Sequence, residues 1–522
     1  MIDPSEAARA ASPVPSASET TGSSPAIHRR PFAVVVLAAG EGTRMKSARP
    51  KVLHGFAGRS LLGHVLAACA PLDAERTIVV IGHGRGDVQA HLEKTGWRVT
   101  TVVQEPQRGT GHAVRIAMET LPAEENGTIV VVPGDTPLLQ PTSLLALLTD
   151  HHRSGAAATM LTSFLDDPTG YGRVIRDGDH VTRIVEQKDA TDEELTIREF
   201  AAGMYAFDQA ALGNALSRLS TDNAQGEEYL TDVVGILVGD GRHVAAAAAP
   251  ATDTLGVNDR VQLAAAHQVY NRRLLDAHMR AGVTVVDPAT TWIDADVHLA
   301  PDVTLHPSVY IHGATAIHDG ATIGPDVTLT DTSVGEGSRV SRAVCNSATI
   351  GADCEVGPFA YLRPGARLAA GVKVGTYVEV KASEIGTGTK VPHLSYIGDA
   401  TIGEYTNIGA ATVFVNYDGV AKHHSTIGSY VRTGADNMFV APVSVGDGAY
   451  TAAGSVIDQD VPPGALGIAR ARQQNVAGWV AKRRSGTAAD DAARRAAQAV
   501  EATDHINSAD STKTADSADI ED

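Results

Sequence analysis

Residues 293–329 read IDADVHLAPDVTLHPSVYIHGATAIHDGATIGPDVTL, and every sixth position from the first is aliphatic: Ile293, Leu299, Leu305, Ile311, Ile317, Ile323 and Leu329. About half of globular positions are apolar, so seven consecutive hits at one spacing arise by chance less than about once in a hundred starts. After a break the spacing returns at Ile350, Val356, Leu362, Leu368, Val374 and Val380. It continues, with five-residue steps, through Ile385, Val391, Ile397, Ile402 and Ile408, and reopens at Ile427. A period of six fits neither an amphipathic helix nor an isolated strand; it is the repeat of a parallel β-helix. Each unit supplies one short strand and one corner, with the aliphatic side chain inward and Gly, Asp or Asn where the backbone turns. Coils stack about 4.8 Å apart, and no coil buries its apolar face alone. The pattern predicts a solenoid from near Trp292 to near Ile468.

The chain has 522 residues and 43% hydrophobic content, which places it among soluble globular proteins of two or three domains. Its three cysteines, Cys69, Cys345 and Cys354, form no metal-ligand cluster, and so sparse a count points to a reducing compartment. With no signal-peptide design and no apolar run long enough for a bilayer, the expected location is cytoplasmic, without membrane insertion. A formal net charge of −18 argues against general nucleic-acid binding, although part of it lies in the tail EATDHINSADSTKTADSADIED. Residues 1–31, rich in Ser, Ala and Pro, are predicted to be disordered.

Strands are predicted at Phe32–Leu37, Thr77–Ile81, Val99–Val103 and Thr128–Val132, with helical segments between them. That alternation implies an α/β domain on a mostly parallel sheet, whose ligands sit beyond the carboxyl ends of the strands. Three unusual segments fall at such ends: LAAGEGTRMK (37–46), QEPQRGTGHA (104–113) and PGDTPLL (133–139). In the first, Gly40 and Gly42 let the backbone turn and aim N–H groups at an anion, and Arg44, Lys46 and Lys51 add positive charge. The spacing matches neither G-x-G-x-x-G nor the Walker pattern, so an ordinary Gly-rich strand exit is the plain alternative. Asp135, at a strand rim, suits magnesium with phosphate oxygens and water completing the shell; a helix-capping turn is the plain alternative.

The segments LAAGEGTRMK, PKVLH, GTGHA, GDTPLL, DDPTGYGR, IVEQKDATDEE, NAQGEEYLTD and GVND, in that order and followed by a hexapeptide solenoid, carry a family resemblance. From about Phe32 to Trp479 the chain resembles the bifunctional N-acetylglucosamine-1-phosphate uridyltransferases/glucosamine-1-phosphate N-acetyltransferases. The resemblance implies a Rossmann-like nucleotidyltransferase domain over 32–260, a helical linker over 261–281, and a left-handed parallel β-helix domain over 282–484. An Ala-rich possible helix, Thr487 to Ala502, and an acidic tail are expected to follow, with 485–522 expected to be disordered. It further implies acetylation of glucosamine-1-phosphate, then uridylyl transfer, yielding UDP-N-acetylglucosamine for envelope polymers. UTP and acetyl-CoA are the implied co-substrates, magnesium the cofactor, and a homotrimer the assembly.

Residue by residue, the resemblance assigns Leu37, Ala38, Ala39, Gly40 and Gly134 to the nucleotide, and Arg44 and Lys51 to the triphosphate and leaving pyrophosphate. It assigns Gln104, Gly109 and Thr110 to uracil, Gly172 and Glu186 to the acetamido sugar, and Asp135 and Asn258 to magnesium. Within the solenoid, LRPG (362–365), VEVKASEIG (378–386), VPHLSYIGD (391–399) and VNYDG (415–419) put functional side chains where a minimal repeat needs only small turn residues. Two cations suit a sugar phosphate, and a His suits removal of a proton from an attacking amine. By resemblance His393 is that base, and Arg363, Lys381, Tyr396 and Asn407 bind the sugar phosphate. Ala410, Asn416, Tyr417, Ala435, Ala453 and Arg470 line the acetyl-CoA side. Three positions depart from the family pattern: Pro133 where Tyr is usual, Ala201 where Asn is usual, and Ala435 where Ser is common.

The alternative enzyme is a hexose-1-phosphate nucleotidyltransferase whose solenoid is only structural or regulatory; the segments around His393 speak against it. A zinc site built from solenoid histidines is opposed by the nearby Arg363 and Lys381, and His298, His306, His312 and His318 read as turn decoration. A non-enzymatic exchange subunit, which also joins a nucleotidyltransferase-like domain to hexapeptide repeats, is opposed by Arg44, Lys51 and Asp135.

Overall fold

Ala33–Ala38, a run of Ala, Val and Leu, is the strand around which the first half of the computed structural model is built. The structure describes residues 32–122 and 127–513, so the expected disordered stretch 1–31 lies outside the described residues. Ala33–Ala38 pairs in parallel with Arg76–Ile81 on one side and Thr128–Pro133 on the other. Across the sheet the order is Val244–Ala248, Ala158–Phe164, Glu199–Asp208, Thr128–Pro133, Ala33–Ala38, Arg76–Ile81, Thr100–Val103. Only Glu199–Asp208 runs antiparallel to its neighbours on this path. The chain moves outward to Thr100–Val103 and then returns to the opposite side of Ala33–Ala38. The loops leaving Ala33–Ala38 and Thr128–Pro133 therefore diverge and open a crevice at their carboxyl ends.

Helix Arg260–Arg280 then carries the chain to the second half. Its first turns pack Leu263, Val269 and Tyr270 on Phe56, Leu61 and Leu138, while Leu274, Leu275 and Met279 pack on the solenoid core. Asn271 fastens it there, donating to the Thr291 carbonyl and accepting from the Ile293 N–H.

The solenoid is a left-handed parallel β-helix whose three faces are sheets of 7, 10 and 9 strands. Rungs repeat at one coil: Leu305 lies beside Ile323, then Val340, Val356, Val374 and Val391, all buried. The first strand, Thr284–Val285, already pairs with Thr304–Leu305, so the solenoid begins before Trp292. The apparent break between Leu329 and Ile350 is no break either, because Val334, Val340 and Cys345 keep the rungs filled and buried through steps of five, six, five and five residues. Corners use left-handed backbone, as in the column Asp331, Ser347, Gly365, Ala382, Asp399.

Beyond the last solenoid pairing, Leu466–Gly467 with Tyr450–Thr451, helices form at Trp479–Arg483 and Ala488–Lys513. The second covers all but the first residue of the Ala-rich stretch 487–502 read as a possible helix and runs on into the expected disordered tail. Its alanine content favours helix. Asp490 and Asp491 complement the first-turn dipole, and Arg494 bonds Asp490 at 2.9 Å. All three cysteines are free and buried, and among the described residues no helix is long and apolar enough to cross a membrane.

Candidate active sites

The crevice of the first sheet contains two adjoining cavities. One, of about 500 Å³, is lined by Leu37, Ala38, Ala39, Gly40, Lys51, Gln104, Gly109, Thr110 and Asp135. Its neighbour, of about 290 Å³, is lined by Arg44, Asp135, Gly172, Glu186, Ala201 and Asn258. Pro133, Asp135, Glu186, Gly203, Tyr205 and Thr231 line both, so the two form one cleft with a larger and a smaller part. Gly134 closes the gap between the two central strands, its N–H donating to the Leu37 carbonyl at 2.8 Å. Of the two loop glycines, Gly42 takes the left-handed turn (φ 66°), whereas no protein atom lies where a side chain on Gly40 would stand.

Gly109 is required by geometry. Its φ is 105°, and a Cβ would stand 2.5 Å from the Glu228 carbonyl oxygen. That close approach stitches the 108–111 turn to the segment after Asn223: the Glu228 N–H donates to Arg108 O, the Gly111 N–H to Glu228 O, and the Leu230 N–H to Thr110 Oγ1. Arg115 holds the Glu228 carboxylate at 2.6 and 2.8 Å.

On the floor, the Lys51 ammonium pairs with Asp135 and also donates to Asn258 Oδ1 at 3.1 Å. Arg44 reaches the same Asn258 oxygen at 2.9 Å. Asp135 and Asn258 thus converge two hard oxygen donors on one cationic point. That is the donor set magnesium takes when substrate phosphates and water fill the rest of its shell, so the residues present fit such an ion. No group of three or more His, Cys, Asp or Glu suited to a metal occurs among the described residues.

In the smaller part, Gly172 stands against Ile184 and Glu186, and its carbonyl accepts from the Ala201 N–H at 2.9 Å. Burial pushes the Glu186 carboxyl above its usual range, against the opposing effect of the Thr231 hydroxyl, which donates to it at 3.0 Å. Pro133 packs over Gly203, where a Cβ would come within 3.1 Å of its ring. Ala201 offers only a methyl group to this wall.

The β-helix gathers a second cluster. The strands ending at Leu362 and Lys381 are adjacent in register, which sets Arg363 one coil from Lys381. Arg363 pairs with Glu379 at 2.8 Å and Lys381 with Asp399 at 3.0 Å. Asn416 also donates to Asp399 and lies 3.3 Å from the Tyr396 hydroxyl. Burial opposes ionisation of Asp399, but Lys381 and Asn416 outweigh it and hold the carboxyl below its usual range. Lys422 lies against Lys381, and that side-chain contact, reinforced by the Lys381 charge, pushes the Lys422 ammonium down. Two ammonium groups beside one carboxylate leave net positive charge suited to an anion. The Tyr396 ring crosses Gly398 so closely that a Cβ there would stand 2.4 Å from its oxygen.

His393 and Asn407 lie on the adjoining face, on the strand Lys390–His393 and its bridge to the next coil. The His393 ring is exposed, and no described side chain hydrogen-bonds to it. Above it, Ala410, Ala435 and Ala453 form one corner column, each a coil further on. Arg470 ends the column beside Gly454. Tyr417 bridges by its backbone to Lys422, while its exposed side chain turns outward, the hydroxyl donating to Gly419 O at 2.8 Å.

Motif reading passed over Thr231, Tyr205, Glu379, Asp399 and Lys422. Thr231, Glu379 and Asp399 lie within the quoted segments NAQGEEYLTD, VEVKASEIG and VPHLSYIGD, and Lys422 lies just after VNYDG. Asp399 reads as an ordinary corner acid, and the buried, unpartnered hydroxyl of Tyr205 leaves no trace in a strand pattern.

A crevice at the strand-order reversal with converging oxygen donors and cations, joined to a β-helix with its own anion-binding cluster, defines a nucleotidyltransferase with a second transferase module. Residues 34–185 match the model of the MobA-like NTP transferase domain. The protein named "Bifunctional protein GlmU" from Streptomyces avermitilis is 58% identical over 478 residues, covering 91% of this chain and 99% of that protein. Its namesakes from Streptomyces coelicolor (57%; 89% and 97% covered) and Mycolicibacterium smegmatis (54%; 89% and 98% covered) are similar. The chain belongs to the GlmU family. It is a bifunctional transferase of UDP-N-acetylglucosamine synthesis, with acetyltransferase and uridyltransferase activities.

Proposed function

We propose that the two reactions run at separate sites: uridylyl transfer in the cleft of residues 32–260, and acetyl transfer around His393 in residues 282–484, with 261–281 as the connecting helix. The observation that carries this reading is the meeting of Lys51, Asp135 and Asn258 far along the chain from the Arg363, Lys381, Asp399 and Asn416 cluster. In the cleft, Leu37 to Gly40 and Gly134 hold the nucleotide backbone, Gln104, Gly109 and Thr110 the uracil, and Gly172 and Glu186 the sugar. The sugar-1-phosphate oxygen attacks the α-phosphorus of UTP and pyrophosphate leaves. No covalent intermediate with the chain is needed, and Arg44 and Lys51 neutralise charge on the phosphates. Magnesium, held by Asp135 and Asn258, would screen phosphate charge and orient the phosphate oxygens.

On the β-helix, His393 takes the proton from the glucosamine-1-phosphate amine as its nitrogen attacks the acetyl-CoA thioester carbonyl; the acyl C–S bond then breaks and the sulfur leaves as the CoA thiol. Arg363, Lys381, Tyr396 and Asn407 hold the sugar phosphate, and Ala410, Asn416, Tyr417, Ala435, Ala453 and Arg470 line the acetyl-CoA side. The assembly is a homotrimer working in the cytoplasm. Support for the trimer comes from Phe359, Tyr377 and Leu394, bulky exposed side chains on left-handed backbone (φ 61°, 57° and 51°), a costly arrangement for a surface that meets only water.

Asp135→Ala should abolish pyrophosphate release and leave thiol release from acetyl-CoA at wild-type level. His393→Ala should lower thiol release by about 10²–10⁴-fold, the usual worth of a general base, and spare pyrophosphate release. Loss of both activities from either change in folded protein would refute separate sites. Mixed trimers of His393→Ala and Arg470→Ala chains should regain acetyl transfer if sites are shared between subunits.

A further inference from the structure

Gln104 follows the strand Thr100–Val103, is buried, and lines the nucleotide side of the cleft. A carboxamide carries two hydrogens on nitrogen and lone pairs on oxygen. Here the nitrogen faces two protein acceptors, the Gly109 carbonyl at 2.8 Å and His112 Nδ1 at 3.2 Å. A carbonyl only accepts, so the Gly109 contact fixes which end of the amide is nitrogen. The imidazole nitrogen opposite must then be the unprotonated one. No described residue donates to the amide oxygen.

His112 is itself buried, in the first turn of helix Thr110–Glu119, and does not line the cleft. Burial pushes its imidazole below the usual range, and Glu228, which acts the other way, has its carboxylate taken by Arg115. The neutral ring with a bare Nδ1 is therefore the form that faces Gln104.

We propose that His112 is a positioning residue for base selection: with the Gly109 carbonyl it occupies both amide hydrogens of Gln104, so that Gln104 offers the base a carbonyl oxygen alone. That oxygen accepts from the ring N–H of uracil and opposes the ring lone pair that cytosine carries at the same edge. The inference rests on Gln104 being the base-contacting residue.

The test is steady-state pyrophosphate release by the full-length enzyme with UTP or CTP at saturating sugar-1-phosphate. His112→Phe should lower the UTP-over-CTP ratio of kcat/KM roughly five- to tenfold, the order of one neutral hydrogen bond. His112→Asn, whose side-chain oxygen can accept in place of Nδ1, should bring the ratio back to within about twofold of wild type. Thiol release in the same preparations should stay at wild-type level. If His112→Phe does not fold, His112→Leu carries the same expectation. A ratio within about twofold of wild type in the folded Phe or Leu variant overturns the proposal. Gln104→Leu separates the two claims: collapse of the ratio there with no change at His112 overturns only the positioning role, whereas no change in either overturns the base contact as well.

Discussion

The cleft of the first sheet and the cluster on the β-helix are assembled by different routes. In the cleft, Leu37, Gln104 and Asp135 meet because strand order reverses beside Ala33–Ala38, which brings the ends of three strands from both sides of the reversal to one crevice. On the β-helix, Arg363 and Lys381 meet because each coil repeats the last at one sheet spacing. The first arrangement depends on the whole sheet. The second depends mainly on neighbouring coils, as in other repeat architectures. Damage should therefore spread in the head and stay local in the solenoid.

The largest effect is expected from the solenoid core, where Phe414 and Phe439 are fully buried with ring centroids 5.2 Å apart. Phe439→Ala should cost about 3–5 kcal/mol. Thiol release should be lost at temperatures where pyrophosphate release persists, and parallel loss of both in a heating series would break the comparison. Next is Gly109→Ala, which puts a Cβ on left-handed backbone and against the Glu228 carbonyl. Strain of about 1–3 kcal/mol should raise KM for UTP tenfold or more, with acetyl transfer unchanged. Equal kinetics would mean that the stitched turn tolerates displacement.

A smaller gain is expected at Ala201, which lines the smaller cavity of the cleft without a polar group. Ala201→Asn should lower KM for N-acetylglucosamine-1-phosphate by an amount worth about 0.5–1.5 kcal/mol. An unchanged or higher KM would show that another group, such as the Tyr205 hydroxyl, already serves.

The smallest effect lies at the joint between the two regions, where His312 Nδ1 sits 3.5 Å from Asp294 and Gly58 abuts the same carboxylate. The Asp294 carboxylate pushes the His312 imidazole above its usual range. Stability from the pair is therefore full below the ordinary imidazole pKa and is lost as pH rises through the higher folded value. Because His312 is 43% exposed, solvent screening keeps this below about 1 kcal/mol. Between about pH 6 and 8 the wild-type Tm should fall slightly more than that of His312→Gln; matching slopes would remove the ion pair from the account.

The two routes also explain what was legible in advance. Rungs such as Ile311, Leu329 and Val380 were readable because a coil imposes its period on consecutive residues, and all three are buried. The stretch between Leu329 and Ile350 was misread as a break because five-residue steps and a cysteine rung hide the period. In the head, strand positions and the three glycine- or acid-bearing strand ends were readable from local composition. The capture of Lys51 by Asp135 and Asn258, the Thr231 bond to Glu186, and the joint hold of Lys381 and Asn416 by Asp399 were not.

By itself the sequence determined the β-helix, the α/β sheet and the segments that line the cleft, since spacing and turn chemistry are properties of neighbouring residues. Only the tertiary structure decided which of those side chains touch. Sheet order and coil register bring together positions that no local pattern relates, and burial then selects their partners: an amide such as Gln104 must find acceptors for its hydrogens, and they lie where the fold puts Gly109 and His112.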